Sequence, residues 1–103
     1  MKNYQLVSVD SLRELLQHDY QFIDLREPSQ YNQLHVKKFV NIPYNNFSQS
    51  LPKLSKDIPI YLICYSGQRS KELARQLNNL GYQAYSFDGG FYALIYPINN
   101  KYY

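Results

Sequence analysis

Only one cysteine, Cys64, occurs among the 103 residues, so no disulfide can close within the chain. With just two histidines beside it, that thiol cannot anchor a Cys/His zinc cluster of the usual kinds, and the sequence is read as using no metal and no cofactor. No apolar run approaches the roughly 18 residues a membrane helix needs. The opening Met1-Lys2-Asn3-Tyr4-Gln5 lacks the apolar stretch of a signal peptide. The expectation is a soluble, cytoplasmic protein with no membrane partner. Internal repeats, Gly/Ser linkers and low-complexity stretches are also missing. Tryptophan is absent while tyrosine occurs 12 times, a balance that compositional drift toward Tyr, Asn and Lys explains without a stacking platform. The net charge of +3 comes from dispersed residues, Lys37-Lys38 being the longest basic pair, which argues against a nucleic-acid partner.

What is present fits one folded unit. Hydrophobic residues make up 45% and charged residues 18%, enough for a modest core, and the length predicts a single domain over 1–103 with a short tail from about 97. Short apolar runs alternate with amphipathic ones. Leu6-Val7 opens the series, and Leu12, Leu15 and Leu16 follow at helical spacing with Ser8 or Ser11 as N-cap. Phe22-Ile23-Asp24-Leu25 reads as a strand, and Glu27-Pro28-Ser29 opens a short helix through Leu34 with Pro28 near its first position. Phe39 to Ile42 reads as a strand stopped by Pro43. Phe47, Leu51 and Leu54 suggest a further short helix limited by Pro52. Ile58 to Ile63 is continuously apolar, as a central strand buried on both faces would be. Leu73, Ala74, Leu77 and Leu80 mark one face of a helix that Gly81 ends in the left-handed conformation. Ala84 to Phe87 is the last strand, followed by a turn at Asp88-Gly89-Gly90 and an apolar close, Phe91 to Ile95. The alternation predicts an α/β fold: a small, mainly parallel five-stranded sheet with helices on both faces.

In open α/β sheets ligands bind outside the carboxyl ends of the strands, and here the central strand runs straight into Cys64-Tyr65-Ser66-Gly67-Gln68-Arg69-Ser70. Ser66, Gly67 and Ser70 are small, Gly67 can adopt positive φ, and the following helix offers unpaired amides. Such a loop can wrap backbone donors around a sulfur or an anion. A free thiol is only a few per cent ionised at neutral pH, and helix dipole, loop amides and Arg69 together can raise that fraction. A plain buried thiol has no use for Ser-Gly and a basic residue at a helix start, where Arg69 and Lys71 oppose the dipole's preference for acidic side chains. Cysteine-dependent phosphatases share a cysteine, five intervening residues and an arginine; four intervene here and residue 70 is serine, which disfavours phosphate hydrolysis. No motif supplies their general acid, although Asp24 and Asp88 remain open candidates.

At this point the chain resembles the rhodanese-like sulfurtransferase family, specifically its single-domain members. The resemblance is carried by Phe22 to Pro28 with Tyr31, by His35-Val36, by Val40-Asn41-Ile42-Pro43, by the Cys64 to Ser70 loop and by Gly89-Gly90-Phe91. It implies a persulfide on Cys64, since a six-residue loop is the length associated with sulfur chemistry. It also implies a basic Arg69 binding an anionic donor, with Tyr65, Ser66, Gly67 and Gln68 offering loop amides. Asp24 and Arg26 match an Asp-x-Arg at the second strand, read here chiefly as an ion pair that ties down a loop beside the site. The family's Gly before the histidine and its Pro-Gly-Ala after the next residue are replaced by Leu34 and Lys37-Lys38-Phe39.

The remaining candidates have plainer readings. His35 reads as a structural histidine, because attack on a sulfane sulfur needs no proton removal once Cys64 is ionised. His18 reads as solvated, Lys37-Lys38 as a wet turn and Gly89-Gly90 as backbone turning near the site. The expected function is transfer of sulfur from a donor anion such as thiosulfate to cyanide or a thiol, including a protein thiol, through Cys64. The alternative is a sulfur-carrier or protein-binding module with little turnover on small donors. Redox sensing ranks below both, for want of a second cysteine.

Overall fold

The computed structural model describes residues 5–94 and 102–103. Its centre is the apolar run ending at Ile63. Five strands, β1 (Gln5–Val7), β2 (Gln21–Asp24), β3 (Val40–Asn41), β4 (Ile60–Ile63) and β5 (Ala84–Phe87), form one sheet in the order β1-β5-β4-β2-β3. Every pairing is parallel. β4 lies in the middle and all four of its residues are buried, as its unbroken hydrophobicity requires.

Successive side chains of a strand point to opposite faces, and this alternation divides the core in two. Ile23, Ile60, Leu62 and Ala84 face a layer built from α3 (Phe47–Ser50) and α4 (Gln68–Asn79), with Phe47, Leu73, Ala74 and Leu77 against them. Phe22, Tyr61, Ile63 and Phe87 face α1 (Leu12–Leu15) and α5 (Gly90–Leu94), packed through Leu12, Phe91 and Leu94. The α/β sheet flanked on both faces is therefore as the sequence led us to expect. A short α2 (Pro28–Gln33) follows β2, with Pro28 in its first turn.

Several boundaries differ for identifiable reasons. The first helix is one α-turn preceded by a 3-10 turn over Val9–Ser11, whose Asp10 amide donates to Ser8 Oγ at 3.1 Å. Around Pro52 the chain forms three short pieces in place of one helix, because proline cannot continue the hydrogen-bond ladder. The central strand starts at Ile60, since Ile58 is exposed and Pro59 precedes the paired segment. β3 covers only Val40 and Asn41 of the run expected to pair. Leu80, expected on the buried face of α4, is 54% exposed, because the helix has already left its α geometry there. Gly81 closes α4 at φ +96°, as expected.

Ile95 and most of the expected tail lie outside the described residues. Tyr102 and Tyr103 pack on the α1/α5 side of the core. The Tyr102 carbonyl accepts from the Lys37 amide at 2.7 Å, and Tyr103 Oη donates to the Leu94 carbonyl at 3.0 Å.

Candidate active site

β4 delivers Cys64 to the carboxyl edge of the sheet, where the chain must reverse into α4. Gly67 makes the reversal at φ +94°, a conformation that costs a side-chain-bearing residue dearly, and caps the helix. The turn brings two amide donors and one hydroxyl, which accepts from the thiol, onto one sulfur. The Gly67 amide lies 3.1 Å from Cys64 Sγ, the Ser70 amide 3.3 Å, and Ser70 Oγ 3.4 Å. A neutral thiol is a weak acceptor, so two amides converging on it suit a sulfur anion. The amides of Gln68 and Arg69, in the first turn of α4, have no carbonyl four residues back within the helix.

The loop is braced from behind by α5. The Phe91 amide donates to the Cys64 carbonyl at 2.8 Å and the Tyr92 amide to the Tyr65 carbonyl at 3.0 Å. Gly90 makes this approach possible, since a Cβ there would stand 2.5 Å from the Cys64 carbonyl oxygen and 2.6 Å from the Gly67 nitrogen.

In front of the sulfur lies a cleft of about 210 Å³. Cys64, Tyr65, Ser66, Gln68 and Arg69 line one side of it, and Leu25, Arg26, Glu27 and Gln30 the other. Cys64 is only 4% exposed, so the cleft is its route to solvent. Tyr65 is half exposed at the rim, its ring edge-on to Tyr92.

Charge in this cleft is distributed unevenly. Asp24 and Arg26 are buried together: the Arg26 guanidinium donates to both carboxylate oxygens at 2.9–3.2 Å, and to the Leu34 carbonyl at 2.6 Å. It also stacks over the Phe91 ring, 3.7 Å from its centroid. Arg26 is thus neutralised by a partner, which is the ion-pair arrangement read from the sequence. Arg69 has no carboxylate partner among the described residues, and its guanidinium lies 5.2 Å from the Tyr44 ring centroid. Glu27 is the one exposed carboxylate among the residues lining the cleft.

Sequence reasoning placed Cys64 to Ser70 together because they are contiguous, and the structure keeps them around one sulfur. Asp24 stands behind Arg26 and not in the cleft, while Asp88 is exposed and does not line it. His35 is held in the α2 region, Nδ1 2.8 Å from the Tyr31 carbonyl and its ring stacked on Tyr31 at 3.7 Å. Glu27 was read only as part of a helix opening and of the family resemblance, and Gln30 was not singled out. Ser86, 2.6 Å from Ser70 Oγ, was not singled out, although one hydroxyl inside an apolar strand was a legible signal.

The model of the rhodanese-like domain matches residues 8–95, nearly the whole described chain. The chain belongs to the rhodanese-like domain family. Over 101 residues it is 31% identical to the thiosulfate sulfurtransferase GlpE of Tolumonas auensis, covering 94% of this chain and 95% of that one. It is 28% identical to the putative sulfur carrier protein YrkF of Bacillus subtilis, over 75% of this chain and 43% of that one. Among solved structures, reduced Bacillus anthracis CoADR-RHD superposes with a TM-score of 0.80 at 30% identity, over 86% of this chain and 16% of that much longer one. Among the described residues, no helix is long and apolar enough to cross a membrane.

Proposed function

We propose that this rhodanese-like protein is a thiosulfate sulfurtransferase working through a persulfide on Cys64. The observation that carries the reading is the convergence of the Gly67 amide, the Ser70 amide and the Ser70 hydroxyl on a single sulfur that opens into a cleft. The Cys64 thiolate attacks the outer sulfur of thiosulfate, a sulfur–sulfur bond forms as the donor's own breaks, and sulfite departs with the electron pair. Charge balances, one negative on Cys64 and two on the donor becoming one on the persulfide and two on sulfite. An acceptor thiolate or cyanide then takes the outer sulfur and returns Cys64 to a thiolate.

Negative charge lies on sulfur throughout, so fixed donors stabilise every stage without moving a proton. Tyr65, Ser66, Gln68 and Arg69 line the cleft the outer sulfur enters, and the Arg69 side chain draws the donor in. Asp24 and Arg26 hold the opposite wall in place. A reducing compartment such as the cytoplasm suits a single thiol that must return to its free state each cycle.

The decisive experiment is incubation with thiosulfate followed by intact-mass measurement. A gain of one sulfur atom, absent in Cys64→Ser and reversed by cyanide, is expected; an unmodified wild type would sink the proposal. The likeness to a putative sulfur carrier supports a second reading, in which the sulfur is loaded but passed only to a protein thiol. Loading without steady turnover on cyanide or small thiols would favour that one.

A further inference from the structure

Ser86 lies in β5, beside the central strand, and has no solvent exposure. A hydroxyl buried in an apolar strand must find a partner or be costly. Among the described residues its only hydrogen-bond partner is Ser70 Oγ, at 2.6 Å. Ser70 Oγ in turn accepts from the Cys64 thiol at 3.4 Å and donates to the Gly67 carbonyl at 3.3 Å.

Each hydroxyl carries one proton, so the direction of this chain matters. If Ser70 gave its proton to Ser86, the Ser86 proton would have no acceptor, and Ser70 would turn lone pairs toward the sulfur. The opposite direction gives both protons an acceptor: Ser86 donates to Ser70, and Ser70 donates to the Gly67 carbonyl while the sulfur is a thiol and to Cys64 once it is a thiolate. As the sulfur becomes anionic this direction strengthens, because donation to an ion is stronger and a chain of hydrogen bonds polarises along its length.

We infer that Ser86 is a positioning residue for sulfur chemistry: its buried hydroxyl fixes the direction of the Ser70 proton, and so makes the Ser70 hydroxyl the third donor to the Cys64 thiolate. This rests on the reading of Cys64 as a thiolate nucleophile. The Gly67 and Ser70 amides do not depend on Ser86, so its loss weakens the anion site without abolishing it.

The test follows the alkylation rate of Cys64 by iodoacetamide as a function of pH, which needs no sulfur donor and reports a single thiol. Ser86→Ala is expected to move the midpoint of that profile upward by about half a unit to one unit, a threefold to tenfold loss of rate below the midpoint. Ser70→Ala moves it at least as far, and Ser86→Ala adds nothing in the Ser70→Ala background. Ser86→Thr, which keeps the hydroxyl, stays near the wild-type midpoint while its isostere Ser86→Val does not. An unmoved midpoint in Ser70→Ala or Ser86→Ala overturns the inference, as does a shift that adds in the double variant. Should the Ser86 variants not fold, Ser70→Ala still decides whether the hydroxyl donates. Normal alkylation shifts in a protein that takes no sulfur from thiosulfate would remove the proposed activity and leave the Ser86 relay standing; unmoved midpoints with normal sulfur uptake do the reverse.

Discussion

Arg69 and Arg26 stand on opposite sides of one cleft and carry the same formal charge, yet their surroundings give them different uses. Arg26 is fixed by Asp24, the Leu34 carbonyl and the Phe91 ring, and its charge is already matched. Arg69 is exposed and touches only an aromatic face among the contacts described. Arg69→Ala is therefore expected to raise the KM for thiosulfate about twofold to fivefold with little change in kcat, from the ~0.5–1 kcal/mol typical of exposed charge interactions. The effect should fade as salt is raised from 20 mM to several hundred millimolar; steady-state kinetics at the two ends of that range check it. Asp24→Asn strands a buried guanidinium, and we expect a loss of about 3–5 kcal/mol, read from urea unfolding. Of these residues, Cys64 to Ser70 were legible from adjacency alone. Gly90 was already read as backbone turning near the site, whereas Glu27, Gln30 and Ser86 reach it from two other chain segments, and only the strand order β5-β4-β2 reveals that they flank Cys64.

Among the elements, the turn after α2 shows how a local departure from a pattern can be absorbed. Where the resembling family carries glycine, Lys38 adopts φ +74°, a left-handed conformation unfavourable for a residue with a Cβ. Its side chain offsets the strain: Nζ donates to the Leu16 carbonyl at 2.7 Å and the His18 carbonyl at 3.1 Å, just past α1, where a helix leaves carbonyls unpaired and favours a cation. Lys38→Ala keeps the strain and loses both bonds, whereas Lys38→Gly loses the bonds and removes the strain. The glycine variant should then be the more stable of the two by about 1 kcal/mol, as urea unfolding can show. From sequence, elements with strong periodicity or unbroken hydrophobicity, β4, β5 and α4, were readable. The segment around Pro52 and the one-turn α1 were less so, because tertiary packing and not local propensity decides helices this short.

At the scale of the whole molecule the sheet separates two cores that serve different ends, one beneath the α4 that carries the loop and one rich in rings. On the second face Tyr61 packs between Tyr20 and Tyr85, at centroid distances of 5.2 and 4.9 Å. Burial first, then the neighbouring Tyr85 and Tyr20, push its phenol up from 10.0 to about 12. Between those values the unfolded chain releases a proton that the folded protein retains, so stability falls as pH rises from 10 toward 12. Tyr61→Phe has no such proton to lose and should show a shallower alkaline decline in thermal melts across that interval.

The cleft before Cys64 is small, and its walls are pinned by α5 on one side and by the Asp24–Arg26 pair on the other. Donor and acceptor must then use the same doorway in turn, and neither can enter while the other sits there. Each substrate in excess should crowd out its counterpart, giving mutual competitive inhibition. A bulky acceptor could reach the sulfur only by extending a narrow tip.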